Sequence, residues 1–145
     1  MSPALHTLHR LREHARKESD VLVRQAERAR DVQSERVDSI HASVAQAREN
    51  VDGTDALELT AYHAFRLRQE LASRRESARL SQKERELENQ RVRHGARVRD
   101  ELALANVIEA AALTDSEDRR RREDKRMDEV AARTVGVNSV QGRSA

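Results

Sequence analysis

The six histidines are the side chains of this chain best suited to binding a transition metal, because the sequence contains no cysteine. His6 and His9 lie three residues apart, so a helix places both imidazoles on one face. A zinc site needs three or four ligands, and no third ligand has a fixed position beside this pair. The other histidines are scattered among charged residues: His14, His41, His63 and His94. We expect no metal site and no histidine in acid–base catalysis.

Other motifs that catalysis or cofactor binding would need are also missing from the sequence. With four glycines and one proline, it has no glycine-rich phosphate loop and no strand–turn–helix motif carrying a nucleophile. The long helices inferred below would offer no concave pocket that excludes water. We therefore predict a protein that is not an enzyme, has no catalytic residue and binds no cofactor.

The composition favours a helical protein with a thin apolar contact. Of 145 residues, 37% are charged and 37% hydrophobic, but only 1% are aromatic, and the apolar residues are mostly Ala, Leu and Val. These residues can fill a narrow seam between two helices but not a thick core. There is no apolar run long enough to cross a membrane and no secretory signal at the N-terminus, so we expect a cytosolic protein.

The charge balance argues against a nucleic-acid-binding function. The chain has 28 Lys and Arg against 26 Asp and Glu, a formal net charge of +2. Its densest Arg-His patch, Arg91 to Arg99, contains no aromatic residue on which a base could stack. Most basic residues are arginines, which pair well with carboxylates of protein partners. A high genomic GC content would produce the same bias without any function.

Helix-breaking residues divide the chain into two helices. Pro3 suits the first position of a helix that then runs unbroken to about Val51. The turn 52–55 follows, in which Gly53 can take a left-handed C-cap conformation. Asp55, with Glu58 three residues later, can cap a second helix from about residue 56 to 133. The segment 134–145 has two glycines and no periodicity, and we predict a flexible tail.

This layout predicts an all-α fold, a long two-helix antiparallel coiled-coil hairpin forming a single domain over residues 1–133. The first helix has an apolar stripe that includes Leu8, Leu11, Ser19, Leu22, Gln33, Val37, Ile40 and Val44. On the second helix we expect the stripe to include Leu57, Ala61, Ala64, Leu67 or Arg68, Leu71, Leu80, Leu87, Val92, Val98 and Leu102. Pairing outward from the turn places Ile40 opposite Leu67.

The second helix is longer than the first, so its last 30 or so residues have no partner within the hairpin. We expect apolar groups in this overhang, among them Ile108 and Leu113, to be uncovered. Acidic residues dominate 100–118 and the basic run RRRREDKR follows at 119–126. Glu117 and Asp118 precede Arg121 and Arg122 by four residues, an order that stabilises an exposed helix by a few tenths of a kcal/mol per pair.

Tyr62 and Phe65, the only aromatic residues, lie within one helical turn close to the predicted turn. One interpretation is that they pack over the first helix against Val44 and Ala45. The other is that they are exposed and anchor a partner, since aromatic residues are favoured at the centres of interfaces.

Together these features resemble the FliJ/YscO family, the small coiled-coil stalk proteins of flagellar and virulence type III secretion. The shorter first helix, the turn near residue 50 and the longer second helix match its layout. The opening Leu5-x-x-Leu8-x-x-Leu11-Arg12-Glu13 resembles the start of family members. The ending Arg122-Glu123-Asp124-Lys125-Arg126-Met127-Asp128-Glu129 is similar to the family's basic, Lys-x-Met-Asp-Glu ending, and Tyr62 and Phe65 fall where flagellar members also have Tyr and Phe.

The resemblance implies a non-enzymatic component of the export apparatus, most consistent with a flagellar one. Such a protein inserts the open end of the hairpin into the hexameric ring of the export ATPase. Its other end reaches the membrane export-gate protein, and export chaperones are further possible partners. It lies in the cytoplasm and at the cytosolic face of the membrane, held there only through its partners.

Carried over by position, the resemblance assigns two sets of binding residues. Gate binding falls on Tyr62, Phe65, Gln69 and Ala72, where Gln69 departs from an apolar position of the family pattern. Binding to the ATPase ring falls on Arg119, Arg120, Arg122, Lys125, Met127, Asp128 and Glu129. The alternative function is a generic coiled-coil scaffold or adaptor with no role in secretion.

Overall fold

A computed structural model describes residues 2–143 of the chain, and it consists of two helices joined by a short turn. Helix α1 is Pro3–Asn50 and helix α2 is Ala56–Arg143, with 48 and 88 residues. No strand occurs among the residues that the structure describes. Side chains of the two helices pack and bond against each other, so the predicted two-helix hairpin is confirmed.

The turn between the helices is closed by carboxylates. Asp52 Oδ1 accepts hydrogen bonds from the backbone N–H and the hydroxyl of Thr54, at 3.0 and 2.9 Å. These bonds, the backbone one first, hold the pKa of Asp52 below its ordinary value. Asp55 caps α2 as predicted, accepting from Leu57 N–H at 2.9 Å, while Glu58 reaches back to the N–H of Asp52 at 3.0 Å.

The predicted left-handed conformation of Gly53 is wrong. No glycine among the described residues has a positive φ. The Asp52 side chain bonds the turn directly, so the turn closes without a left-handed residue.

The described residues divide into two compact units. One is Arg12–Arg99, which contains the turn and the parts of both helices nearest to it; we call it the hairpin unit. The other combines the residues up to Leu11 with those from Asp100 onward; we call it the terminal unit. The single domain over 1–133 that the sequence suggests stays a prediction.

In the hairpin unit, covered positions recur at alternating steps of three and four, a seven-residue period. On α1 the covered residues on this seam are Arg16, Ser19, Val23, Ala26, Arg30, Gln33, Val37, Ile40, Val44 and Ala47. On α2 they are Leu59, Tyr62, Gln69, Ser73, Glu76, Leu80, Lys83, Leu87, Gln90 and His94, with Phe65 covered where Arg66 is exposed. Most of the predicted α1 stripe is therefore confirmed.

The predicted α2 stripe is mostly wrong. Leu57, Leu67 and Leu71 are 80%, 63% and 61% exposed, so Leu67 does not pack against Ile40. Val92, Val98 and Leu102 are also exposed, as are Leu8, Leu11 and Leu22 on α1. The reason is that the seam is selected by polar pairs across the helices, described below. Only Val23, Val37 and Leu87 are buried aliphatic residues in the described chain.

The prediction of a flexible tail is wrong for residues 134–143, because α2 continues through them. Thr134 Oγ1 donates to Val130 O at 2.9 Å and Ser139 Oγ to Gly136 O at 2.8 Å. Extending an existing helix is much easier than starting one, so Gly136 and Gly142, at about 1 kcal/mol each, do not end it. Ser144 and Ala145 of the predicted tail lie outside the described residues.

The seam predicts a contrast between two leucines of α2. Leu87 is 2% exposed whereas Leu67 is 63% exposed. Leu87→Ala should lower the free energy of unfolding by about 2 to 3 kcal/mol, through lost burial and a cavity. Leu67→Ala should change it by less than about 0.5 kcal/mol. Urea denaturation followed by circular dichroism measures both, and equal losses would contradict the observed seam.

Candidate partner-binding surfaces

The most buried polar contact in the hairpin unit joins Gln33 of α1 to Glu76 of α2. Gln33 is 4% exposed, and its Nε2 donates to the backbone oxygen of Glu76 at 3.0 Å and to Glu76 Oε2. Both hydrogens of the amide are therefore used. Arg79 Nη1 donates to the other carboxylate oxygen of Glu76 at 3.0 Å.

These contacts stabilise the charged form of Glu76. The hydrogen bond from Gln33 is the largest cause holding the pKa of Glu76 below its ordinary value, and Arg79, Arg36 and Arg75 act in the same direction. Burial opposes them by disfavouring the charge. The pair thus needs an ionised carboxylate to be fully formed.

A second polar contact joins Ser19 and His94. Ser19 is 8% exposed, and its Oγ lies 2.8 Å from His94 Nδ1. The same hydroxyl donates to Arg16 O at 2.8 Å, which occupies its only hydrogen. In that arrangement Ser19 accepts from His94, so His94 carries a proton on Nδ1.

Two further polar contacts cross the helices at the edges of the seam. His41 Nε2 lies 3.1 Å from Ser73 Oγ, and Arg91 Nη2 lies 3.5 Å from Glu27 Oε1. Among the described side chains, the buried polar atom left without a partner is His9 Nδ1, in the terminal unit. The four polar contacts that cross the seam hold α1 against α2 and favour one alignment of the helices.

The predicted gate-binding residues lie on the side of α2 that faces α1. Tyr62, Phe65, Gln69 and Ala72 are all half-buried. Tyr62 and Phe65 line a shallow cleft beside the turn together with Ala47, Val51 and Ala61. Tyr62 also borders a depression that includes Val44 and Ala45, the residues against which the sequence suggested packing. The aromatic pair therefore packs against α1 and keeps a partly open edge.

The predicted ring-binding residues lie on the exposed helical part of the terminal unit. Every described side chain from 112 to 142 is exposed, including those of Arg119, Arg120, Arg122, Lys125, Met127, Asp128 and Glu129. Met127 and Val130 are 69% and 57% exposed. Leu104, Ala105, Ile108 and Ala111 are half-buried, so the uncovered segment begins later than the sequence predicted.

Exposed apolar residues near the end of α2 were missed by the sequence prediction. Val135, Val137 and Val140 are 69%, 57% and 69% exposed. Gly136, Val137 and Val140 line a shallow groove with Arg133 and Gln141. The three valines fell in the predicted tail, which the sequence prediction did not treat as helical, so the face shared by Val137 and Val140 was not recognised.

The described part of the chain contains neither a cluster of metal ligands nor a candidate membrane span. In residues 2–143 no three His, Asp or Glu side chains converge as metal ligands would. Over the same residues neither helix contains a stretch that is both long and apolar enough to cross a membrane.

Comparison of the chain with protein-family models, curated proteins and solved structures finds no match.

The state of Glu76 predicts how stability depends on pH. The pKa of Glu76 is lowered on folding from an ordinary value of 4.5. Its stabilising contribution is therefore present above the unfolded-state pKa and is lost as the pH falls through the folded-state value. We expect the Tm to fall on acidification below about pH 4.5, and to fall less in Glu76→Gln. Thermal melts from pH 7 to pH 3 measure this.

A matched control is Glu88→Gln, which removes an exposed carboxylate of α2 outside the seam. It should keep the pH dependence of the unsubstituted chain. Identical pH profiles for Glu76→Gln and the unsubstituted chain would show that the ionisation of Glu76 does not contribute to stability.

Proposed function

We propose that this chain is a stalk protein of a type III protein export apparatus, of the flagellar kind. It binds the hexameric export ATPase and links the ATPase ring to the membrane export-gate protein. In this role it works in the cytoplasm and at the cytosolic face of the membrane, held there by its partners. The chain itself hydrolyses no ATP, and export chaperones are further partners.

The observation that carries the proposal is the uncovered end of α2. Residues 112–142 form a continuous helix with every side chain exposed, and this segment contains the family-like sequence Arg122 to Glu129. Because every side chain of this segment is exposed, all sides of the helix are accessible to a ring that surrounds it. The resemblance of both ends of α2 to the stalk family supports the same function.

The chemistry of this segment suits contact with the interior of a ring. Arg119, Arg120 and Arg122 offer cations that pair with carboxylates. Met127 adds a flexible apolar side chain, 69% exposed, that adapts to different surroundings. Such contacts tolerate a change of position between stalk and ring better than a closely fitted apolar interface would.

The proposed gate contact is at the other end of α2. Tyr62 and Phe65 are half-buried, so neither aromatic side chain is fully exposed. A gate protein would therefore contact them from the open side of the cleft beside the turn. Gln69 and Ala72 continue from this cleft along the partly covered side of α2. The gate surface is therefore narrow, and its shape depends on α1.

Truncation tests the ring contact. A chain ending at Ala112 keeps every described residue of α2 that is covered, so we expect it to remain folded and to lose stimulation of its partner export ATPase. ATP turnover by the purified ATPase, with full-length or truncated stalk added, measures this.

Charge reversal of Arg119, Arg120 and Arg122 to Glu should also reduce stimulation, whereas reversal of the exposed Arg28 should not. Equal stimulation by full-length and truncated chains would exclude the uncovered helix as the ring contact and favour a general scaffold.

Substitution of Phe65 tests the gate contact. Phe65→Ala should weaken binding to the cytosolic part of the export gate by about 30-fold or more, the effect of losing an aromatic residue worth 2 kcal/mol at an interface. Phe65→Leu, which preserves more of the packing against α1, should retain intermediate affinity. Calorimetric titration measures the affinities, and circular dichroism checks that helicity is kept. Unchanged affinity in Phe65→Ala would contradict the assignment.

A further inference from the structure

An apolar row of α2, most of which the sequence assigned to the hairpin seam, lies on the opposite side of that helix. We call it the outward stripe, and it consists of Leu57, Ala64, Leu67, Leu71 and Ala78. All five residues are exposed, with Leu57, Leu67 and Leu71 at 80%, 63% and 61%. It lies wholly within the hairpin unit.

The spacing of the outward stripe is that of a helix–helix contact. Leu57, Ala64, Leu71 and Ala78 follow one another at intervals of seven, with Leu67 three residues after Ala64. Single exposed leucines are common on protein surfaces, but this row has an apolar residue at one core position of each heptad. Leu67 adds the second core position of a coiled-coil face, where Thr60 and Arg74 are polar. The hairpin seam uses a different row, so this face has no partner within the hairpin unit.

Charged residues beside the outward stripe indicate which charges a partner that covers the stripe must have. Residues 56–79 contain five arginines and three glutamates. All three glutamates have partners: Glu58 accepts from Asp52 N–H, Glu70 from Arg74 at 2.8 Å, and Glu76 from Gln33 and Arg79. Arg68 and Arg75 are exposed next to the stripe and give it a positive border. A partner with carboxylates at matching positions complements that border.

The same border argues against antiparallel pairing with a second copy. In such a contact between two identical stripes, Arg68 and Arg75 of one copy would lie on the same side as those of the other. Like charges at such short separations repel each other and oppose association.

The small residues within the stripe indicate a helix and not a membrane. Ala64 and Ala78 alternate with Leu57 and Leu71, which leaves spaces between the leucines for side chains of a closely packed helix. Helices that lie on membranes instead have a wide apolar face with aromatic residues. The only two aromatic residues of the chain lie on the seam side of α2.

We propose that the outward stripe binds an amphipathic helix of another protein, one whose apolar row is bordered by glutamate or aspartate. This contact is independent of the proposed ring and gate contacts. It uses a different face of α2 from Tyr62 and Phe65, and a different part of the chain from residues 112–142.

The test uses the full-length chain and a designed peptide of four heptads. The peptide has leucine and alanine in its apolar row and glutamate beside it; its matched control has lysine in place of every glutamate. Fluorescence anisotropy should show binding of the glutamate peptide and much weaker binding of the lysine peptide. Leu67→Glu with Leu71→Glu should reduce affinity at least about tenfold. Val135→Glu, an equally exposed position of α2, should not change it.

A second variant separates recognition from folding. Arg68→Glu with Arg75→Glu leaves the leucines intact and should exchange the preference, so that the lysine peptide binds better than the glutamate peptide. Circular dichroism should show unchanged helicity in both variants, because all four substituted residues are exposed.

Several results would overturn the proposal. Equal binding of the glutamate peptide by the unsubstituted chain and by Leu67→Glu/Leu71→Glu would exclude the stripe. If Arg68→Glu with Arg75→Glu still binds the glutamate peptide better than the lysine peptide, recognition of the partner by these two charges is excluded. Stripe-dependent binding to anionic lipid vesicles, with none to the peptide, would identify a membrane surface instead. Stripe-dependent self-association in sedimentation would identify a second copy.

Discussion

The hydrogen-bonded pair of Gln33 and Glu76 is the constraint on which the alignment of the two helices depends. A seam with only three buried aliphatic residues gains little from the hydrophobic effect, and small shifts of one helix along the other would change that gain only slightly. A buried amide that donates to both a backbone oxygen and a carboxylate is different, because a shift breaks both bonds and leaves polar groups unpaired. Ser19 with His94 adds a second polar contact between the helices further from the turn.

Once this alignment is set, the faces available for binding are set with it. Glu76 faces α1, and heptad spacing then brings Tyr62 and Gln69 partly under α1, with Phe65 covered beside them. The same rotation of α2 turns Leu57, Leu67 and Leu71 outward. A stripe that looks like core in sequence therefore becomes surface, and the aromatic pair that looks like surface becomes partly core. The terminal unit supplies a separate surface, the uncovered helix 112–142.

The sequence predicts the helices well because their ends are marked by local chemistry. Pro3, Asp55 and the carboxylates of the turn start or cap a helix through residues that are close to them in sequence. Helix α2 accordingly begins at Ala56, directly after the Asp55 cap. The stripe of α1 is also predictable, because Val37, Ile40 and Val44 have no competing row on that helix. The exposure of Met127 and its charged neighbours follows simply from the greater length of α2.

The seam of α2 could not be predicted in the same way, because two rows compete on that helix. One contains Leu57, Leu67 and Leu71, and the other contains Gln69, Ser73 and Glu76. Ranking them by hydrophobicity selects the first, whereas the structure uses the second. The pairing of Gln33 with Glu76 is a contact between residues far apart in sequence, which no local pattern reveals. Gly53 and the segment 134–143 were misjudged for a related reason, since glycine permits a break in a helix without requiring one.

Cross-linking of paired cysteines tests the alignment most directly. Cysteines replacing Ser19 and His94 should be joined within one chain by a short thiol-reactive linker, because these side chains are in contact. The alignment predicted from the apolar stripes places Glu88 opposite Ser19, so a pair replacing Ser19 and Glu88 is the matched comparison. Fast cross-linking of the first pair and slow cross-linking of the second, in the same buffer, is the result that we predict. Faster cross-linking of Ser19→Cys with Glu88→Cys would contradict a seam set by its polar pairs.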